Sequence, residues 1–201
     1  MSLDTIFCSL FLDSFVSMST TVAEWSEKWM MKFNSDKCKV LQIGRNNPKY
    51  EYTIKDGSEH VPLGSTYCEK DLGVHVDSML NFNHHMSEII KKARGVSAML
   101  LRTFTYKKSD VMVPLFKSLV RPHLEYSNAV WCPYLLKDIQ RIEKVQRHFT
   151  KRIEGMDGLT YEQRLQKLNL PSLEYRRLRG DLIEVFKITH NIYDPISTKD
   201  L

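Results

Sequence analysis

No two acidic residues are adjacent anywhere in the 201-residue chain, and the nearest pair is Glu69 and Asp71. Two-metal phosphoryl transfer draws on clustered carboxylates, so no such centre is expected here. GxSxG, HExxH, the P-loop and glycine-rich nucleotide loops are missing as well, and no catalytic residue is assigned. The four cysteines, Cys8, Cys38, Cys68 and Cys132, contain no CxxC pair. They read as reduced intracellular thiols rather than a zinc site or a disulfide framework. His84 and His85 are adjacent, and His85 shares a helix face with Glu88, but no third ligand joins them, so no metal is expected. Long apolar runs are also missing. The N-terminal MSLDTIFCSLFLDSFVSMSTT lacks a basic leader and is interrupted by Asp4 and Asp13, so neither a secretory signal nor a membrane partner is expected.

What the chain does have is charge in one place. The net charge of +5 is unevenly spread: residues 84–152 carry 14 Lys and Arg against 5 Asp and Glu, while the flanking stretches are near neutral or acidic. A basic module between near-neutral neighbours favours nucleic acid or another anionic surface as partner. Its centre is Lys137 to Ile153, KDIQRIEKVQRHFTKRI. Wound at 100° per residue, Ile139, Ile142, Val145, Phe149 and Ile153 share one face. Lys137, Arg141, Lys144, Arg147, Lys151 and Arg152 share the other, with Asp138, Glu143 and Glu154 expected on the flanks. Such a face is either solvated or holds a polyanion, and its segregation by sign favours the second.

Residues 1–20 are expected to open a helix, if they form any element. Thr21 then caps a helix with Glu24 three residues on. Val22, Trp25, Trp29 and Phe33 recur at helical spacing, and the two tryptophans are expected in the core, with a base-stacking role as the lesser reading. Asn34-Ser35-Asp36 breaks that helix. Residues 38–43 and 50–54 read as strands, the second closed by Asp56-Gly57. A further strand pair is expected around Tyr67-Cys68 and Leu72 to Asp77. Residues 37–77 thus form a small antiparallel sheet with one helix before it. Helices follow: 84–104; a helix capped by Ser109 and bent or divided by Pro114 and Pro122; the basic helix; 161–168; and a last helix capped by Ser172. Val111, Met112, Leu115, Phe116, Leu119 and Val120 supply the apolar positions of the second of these. Leu173, Leu178, Leu182, Ile183, Phe186 and Ile188 supply those of the last. The connection 127–136 is expected to bury Trp131. The fold class is α+β.

Five blocks, taken in order, carry a resemblance: WSEKWMMKFNSDKCKVLQIG (25–44), KDLGVHVDSMLNFNHH (70–85), LVRPHLEYSNAVWCPY (119–134), IEKVQRHFTKRI (142–153) and SLEYRRLRGDLIEVFKI (172–188). Over about residues 20–192 they resemble the C-terminal part of LINE-type (non-LTR) retrotransposon reverse transcriptases of the Jockey-like kind. The resemblance implies a divergent segment at 1–19, the end of a polymerase palm at 20–82, a basic helical thumb at 83–154 and a helical extension at 155–201. It implies that Leu72, Gly73 and Val74 match the turn that grips the primer end, where glycine lets the backbone approach. Lys37 or Lys39 match, more weakly, a palm lysine near the leaving pyrophosphate.

The family copies RNA into DNA with magnesium held by aspartates, one of them in a FADD- or YADD-like turn. Residues 1–20 contain no DD, so the chain alone is expected to be inactive and to need no cofactor. The expected retained capacity is binding of RNA–DNA or RNA duplex through phosphates by Lys91, Lys92, Arg94, Arg141, Lys144, Arg147, Lys151 and Arg152. The alternative is an interaction or structural remnant that binds no nucleic acid and self-associates through palm surface left exposed, or binds another protein. A weaker third reading has another copy supplying the aspartates. An intracellular location is expected, and the resemblance implies the nucleus.

Overall fold

The computed structural model describes residues 5–8, 24–31, 33–56 and 59–193, and these fall into two compact units, 1–85 and 86–201. The expected cap at Thr21 and the apolar Val22 lie outside the described residues.

In the first unit, Lys39–Gln42 (β2) runs between Thr5–Cys8 (β1) and Gly64–Thr66 (β5), parallel to both. Successive strand residues face opposite sides, and Val40 and Leu41 are both buried, as a parallel strand covered on both faces requires. This parallel ladder was not expected, and 5–8 is strand rather than the start of a helix.

The antiparallel part is two hairpins. Thr53–Asp56 (β3) pairs with Glu59–Pro62 (β4), and Cys68–Asp71 (β6) pairs with Val74–Asp77 (β7). β3 starts later than the expected strand at residue 50. Tyr50 and Tyr52 lie in the preceding loop, where their carbonyls accept from the Gln42 amide and the Leu63 N–H. The second hairpin turns on Leu72 (φ 43°) and Gly73 (φ 90°), a left-handed pair suited to the twist of the flanking strands.

Residues 24–28 are helical (α1). Met31 N–H reaches back to Ser26 C=O and Met30 N–H to Glu27 C=O, with Met30 left-handed at φ 53°. This closing motif ends the helix before Phe33. Trp25 and Trp29 are 43% and 59% exposed rather than in the core.

Asn83–Thr103 (α2) follows, with Met86, Ile89, Ile90, Ala93 and Leu100 buried as its periodicity requires. His85 is buried, and its Nδ1 accepts the His75 N–H. It closes the second hairpin against the helix start instead of sitting on a helix surface.

The rest of the second unit is helical: Ser109–Leu115 (α3), a π-turn at Phe116–Val120, Arg121–Glu125 (α4), Asn128–Trp131 (α5), Leu136–Lys151 (α6), Tyr161–Leu168 (α7) and Leu173–Thr189 (α8). Pro122 has no N–H to give Ser118, and the Arg121 N–H instead bonds Phe116 C=O, five residues back. Ser109 does not cap α3. It lies inside the helix, and Lys108 holds the cap position without a side-chain bond. Val111 and Leu119, expected apolar positions, are exposed, while Met112, Phe116 and Val120 are buried. Trp131 is buried with Nε1 donating to Tyr126 C=O at 2.7 Å. Phe116 and Phe149 meet with ring centroids 4.9 Å apart at the centre of the core.

α6 carries its apolar face inward as expected: Ile142, Val145 and Phe149 are buried, with Ile153 just beyond the helix end. The acids differ from expectation, since Asp138 and Glu143 are buried rather than flanking. Glu143 accepts the Leu173 and Glu174 N–H groups at 3.2 Å each, and the Tyr161 hydroxyl donates to it. A carboxylate from α6 thus satisfies the first amides of α8, where the helix dipole also favours it. Ser172 caps the same end by accepting from Tyr175 N–H at 3.1 Å. α7 begins with a reciprocal Thr160–Gln163 capping box. Only Leu173 of the expected α8 core set is fully buried; Leu178, Leu182, Ile183 and Phe186 are exposed.

Replacing Glu143 by Ala leaves three donors without their acceptor. It should lower stability by about 2–4 kcal/mol, with Glu143→Gln costing less. Urea unfolding followed by circular dichroism checks this; equal midpoints for wild type and Glu143→Ala would remove the carboxylate from the fold's support.

Candidate nucleic-acid interface

α2 and α6 lie side by side in the second unit, and a groove of about 570 Å³ opens between their exposed faces. Arg94 contributes from α2; Lys144, Arg147, His148 and Lys151 contribute from α6; Ala98 and Val145 form its apolar floor. Among the described residues lining the groove, none is acidic. Lys144 and Lys151 are separated by seven residues, about 10.5 Å of helix rise, so the cations form a row rather than a point.

Of the eight sequence-assigned binding residues, the groove gathers Arg94, Lys144, Arg147 and Lys151. Arg141 is placed differently. Its Nη1 donates to the buried Asp138 carboxylate at 2.9 Å and its Nη2 to Ser87 Oγ at 3.1 Å, so it ties α6 to α2. Lys91 is exposed and 3.9 Å from Glu88. Lys92 is exposed and does not line the groove, and Arg152 is exposed at the end of α6. Leu72, Gly73 and Val74 form the hairpin turn of the first unit, with Leu72 83% exposed and Val74 buried. Lys39 is engaged by Glu69 at 3.5 Å.

Two contributors escaped the sequence reading. His148 lines the groove four residues after Lys144, a helical spacing legible in the sequence, but a neutral histidine adds nothing to a count of fixed charges. Tyr161 was legible only as a helix start. Its ring centroid lies 4.8 Å from the Arg147 guanidinium and 5.7 Å from that of Arg164. Gln146, itself buried, donates to the Tyr161 hydroxyl at 3.1 Å and to Pro171 C=O at 3.0 Å. The cation in the groove is thus propped from behind by a ring whose hydroxyl is fixed in the core.

Among the described residues, no group of three or more His, Cys, Asp or Glu side chains is placed to hold a metal ion. Cys68 and Cys132 are free thiols. Among the same residues, no helix is long and apolar enough to cross a membrane.

The fold and groove define an α+β chain whose helical unit presents a cationic row. In sequence, the chain is 25% identical over 140 residues to a probable RNA-directed DNA polymerase from transposon X-element of Drosophila melanogaster, covering 67% of this chain and 15% of that protein. It is 26% identical over 125 residues to an uncharacterised protein of Caenorhabditis elegans, covering 61% of each. The chain is therefore similar to a region of a transposon polymerase, and it spans less than two thirds of either relative. No protein-family profile and no solved structure matches it.

Burial, and then the bond to Glu143, push the Tyr161 pKa well above its ordinary value near 10. A folded-state pKa raised above the unfolded one gives stability that is complete below pH 10 and falls as pH rises beyond it. The stability difference between wild type and Tyr161→Phe should therefore shrink above pH 10. Urea midpoints of both proteins from pH 8 to 11 measure it; a constant difference would mean the hydroxyl is not held protonated.

Proposed function

We propose that the chain is a piece of a retrotransposon reverse transcriptase of the LINE type, the end of the palm followed by the thumb. Its α2–α6 groove holds an RNA–DNA or RNA duplex through phosphates. The observation that carries this reading is the row of Arg94, Lys144, Arg147 and Lys151 with no acid beside it. Fixed cations against phosphates supply sequence-independent affinity by releasing counterions. The similarity to a transposon RNA-directed DNA polymerase supports the same reading. The left-handed Leu72-Gly73 turn is compatible with it, since a glycine there lets another backbone come close. Nucleotidyl transfer is assigned to clustered carboxylates, and no metal-holding group of them is found among the described residues; the part proposed for this chain is to hold the duplex.

Fluorescence anisotropy with a labelled RNA–DNA primer–template across a salt series tests the proposal. If four phosphates are met, log affinity should fall against log salt with a slope of about −3.6. Changing Lys144, Arg147 and Lys151 to Ala should flatten that slope by about 2.7, while Lys92→Ala with Arg152→Ala should move it by less than about 1. An unchanged slope in the triple variant would remove the groove from the site. Primer extension with the purified chain should give no template-dependent incorporation, and any incorporation would reassign the chain as an enzyme.

A second reading rests on α8, where Leu178, Leu182 and Phe186 are 59%, 61% and 53% exposed. An apolar helix face of that kind can pair with a second copy of this chain. Light scattering separates the readings, since a monomer at micromolar concentration excludes self-association as the main role.

A further inference from the structure

We propose that the first unit carries a separate pocket for the unstacked bases of single-stranded nucleic acid, built around Tyr67 and Tyr50. The site goes beyond the duplex-holding groove and shares no residue with it. The pocket encloses about 480 Å³ between the turn after β2 and the connection from β5 to β6, within the ordinary range for small-ligand sites. Tyr67 and Tyr50, residues 75% and 45% exposed, line it, and Leu63 and Met79 add apolar wall. Two half-open aromatic rings offer π-faces on which any base can stack. Arg45 and Lys49 line the same pocket, and the Lys49 ammonium lies 5.9 Å from the Tyr67 ring centroid. A base on the ring therefore has a cation within reach for its phosphate. Glu51 is the acid of the lining, and it can accept from an exocyclic amine on a base edge.

The walls are set before a ligand arrives. The Gly44 N–H bonds Ser78 C=O and the Ser78 N–H bonds Tyr67 C=O, each at 2.9 Å, so three loop segments are stitched together beneath the ring. The Gln42 amide holds Tyr50 C=O at 3.0 Å, and the Asn47 side chain binds Ile43 C=O at 3.1 Å and Lys49 N–H at 2.9 Å. A rigid platform loses little freedom on binding, which is what makes exposed rings effective. Bases in a duplex already stack on one another, so the rings select strands whose bases are free.

The test is anisotropy with a labelled single-stranded RNA of about eight nucleotides, a length within the usual footprint of such sites. Tyr67→Ala should weaken this binding roughly 5- to 150-fold, the range expected for one lost base–ring stack, and leave primer–template duplex binding unchanged. Tyr67→Phe keeps the ring and should stay within about threefold of wild type. Wild-type affinity in Tyr67→Ala, or no binding of the single strand by wild type, would overturn the proposal. If only the Lys144, Arg147 and Lys151 triple variant loses the single strand, the groove takes both ligands; this proposal falls while the duplex reading stands. If duplex binding fails but Tyr67-dependent binding of the single strand persists, the reverse holds. Photo-crosslinking with 5-iodouridine RNA needs no variant: adducts on Tyr67 or Tyr50 support the pocket, and adducts confined to other residues overturn it.

Discussion

The helical unit depends on one buried carboxylate. Glu143 leaves a helix whose outward side is lined with cations and turns inward to meet two backbone N–H groups of α8 and the hydroxyl of Tyr161. An isolated buried carboxylate would cost several kcal/mol in lost hydration, and here each oxygen has a donor. The first turn of α8 leaves N–H groups with no partner in their own helix, and Glu143 and Ser172 supply acceptors for three of them. Two deficits, an unsolvated acid and an uncapped helix, cancel each other. α7 joins through Tyr161, so the three elements are fixed at a single point. The buried Arg177 lies near the same carboxylate. Burial lowers its pKa, and the field of Glu143 opposes that shift.

That arrangement explains how α6 presents a clean basic face. Its two acids inside the helix, Asp138 and Glu143, are both spent inward. Asp138 holds Arg141, which in turn reaches Ser87 on α2 and sets the two helices side by side. Of the remaining cations, Lys144, Arg147 and Lys151 line the groove without an acid in it to neutralise them. Arg147 is further steadied by the face of Tyr161. One ring therefore faces the groove cation on its π-surface and the buried acid at its hydroxyl.

The first unit is organised by a different constraint, the satisfaction of backbone groups in short strands. β2 can be central only because its two middle residues are both apolar and both covered. The hairpin at Leu72-Gly73 places two successive residues in the left-handed region, which turns the chain within two residues. His85 accepts the His75 N–H across that hairpin's base, and Asp77 accepts from Met79, Asn81 and Phe82 in the run into α2. These local bonds, rather than a large apolar core, shape the loops that line the tyrosine pocket.

Periodicity by itself determined the long helices and the inward face of α6, because the 3.6-residue repeat of Ile142, Val145, Phe149 and Ile153 has no other regular solution; the short helix α5 lies in the stretch read as a connection. Composition determined where the positive charge would collect, whereas Leu72 and Gly73, which the residue pattern places at the start of a strand, form the turn between β6 and β7. Tertiary structure alone decided which cations act together. Lys92 and Lys91 look alike on a helical wheel beside Arg94, yet Arg94 alone of the three lines the groove, because that depends on which side of α2 meets α6. It also decided that Asp138 and Glu143 turn inward, since an acid gains from burial only when donors from distant chain segments are waiting for it. The exposed tryptophans of α1 and the parallel ladder of β2 have the same origin: a strand's direction and a ring's burial are set by partners far away in the chain, which no local pattern records.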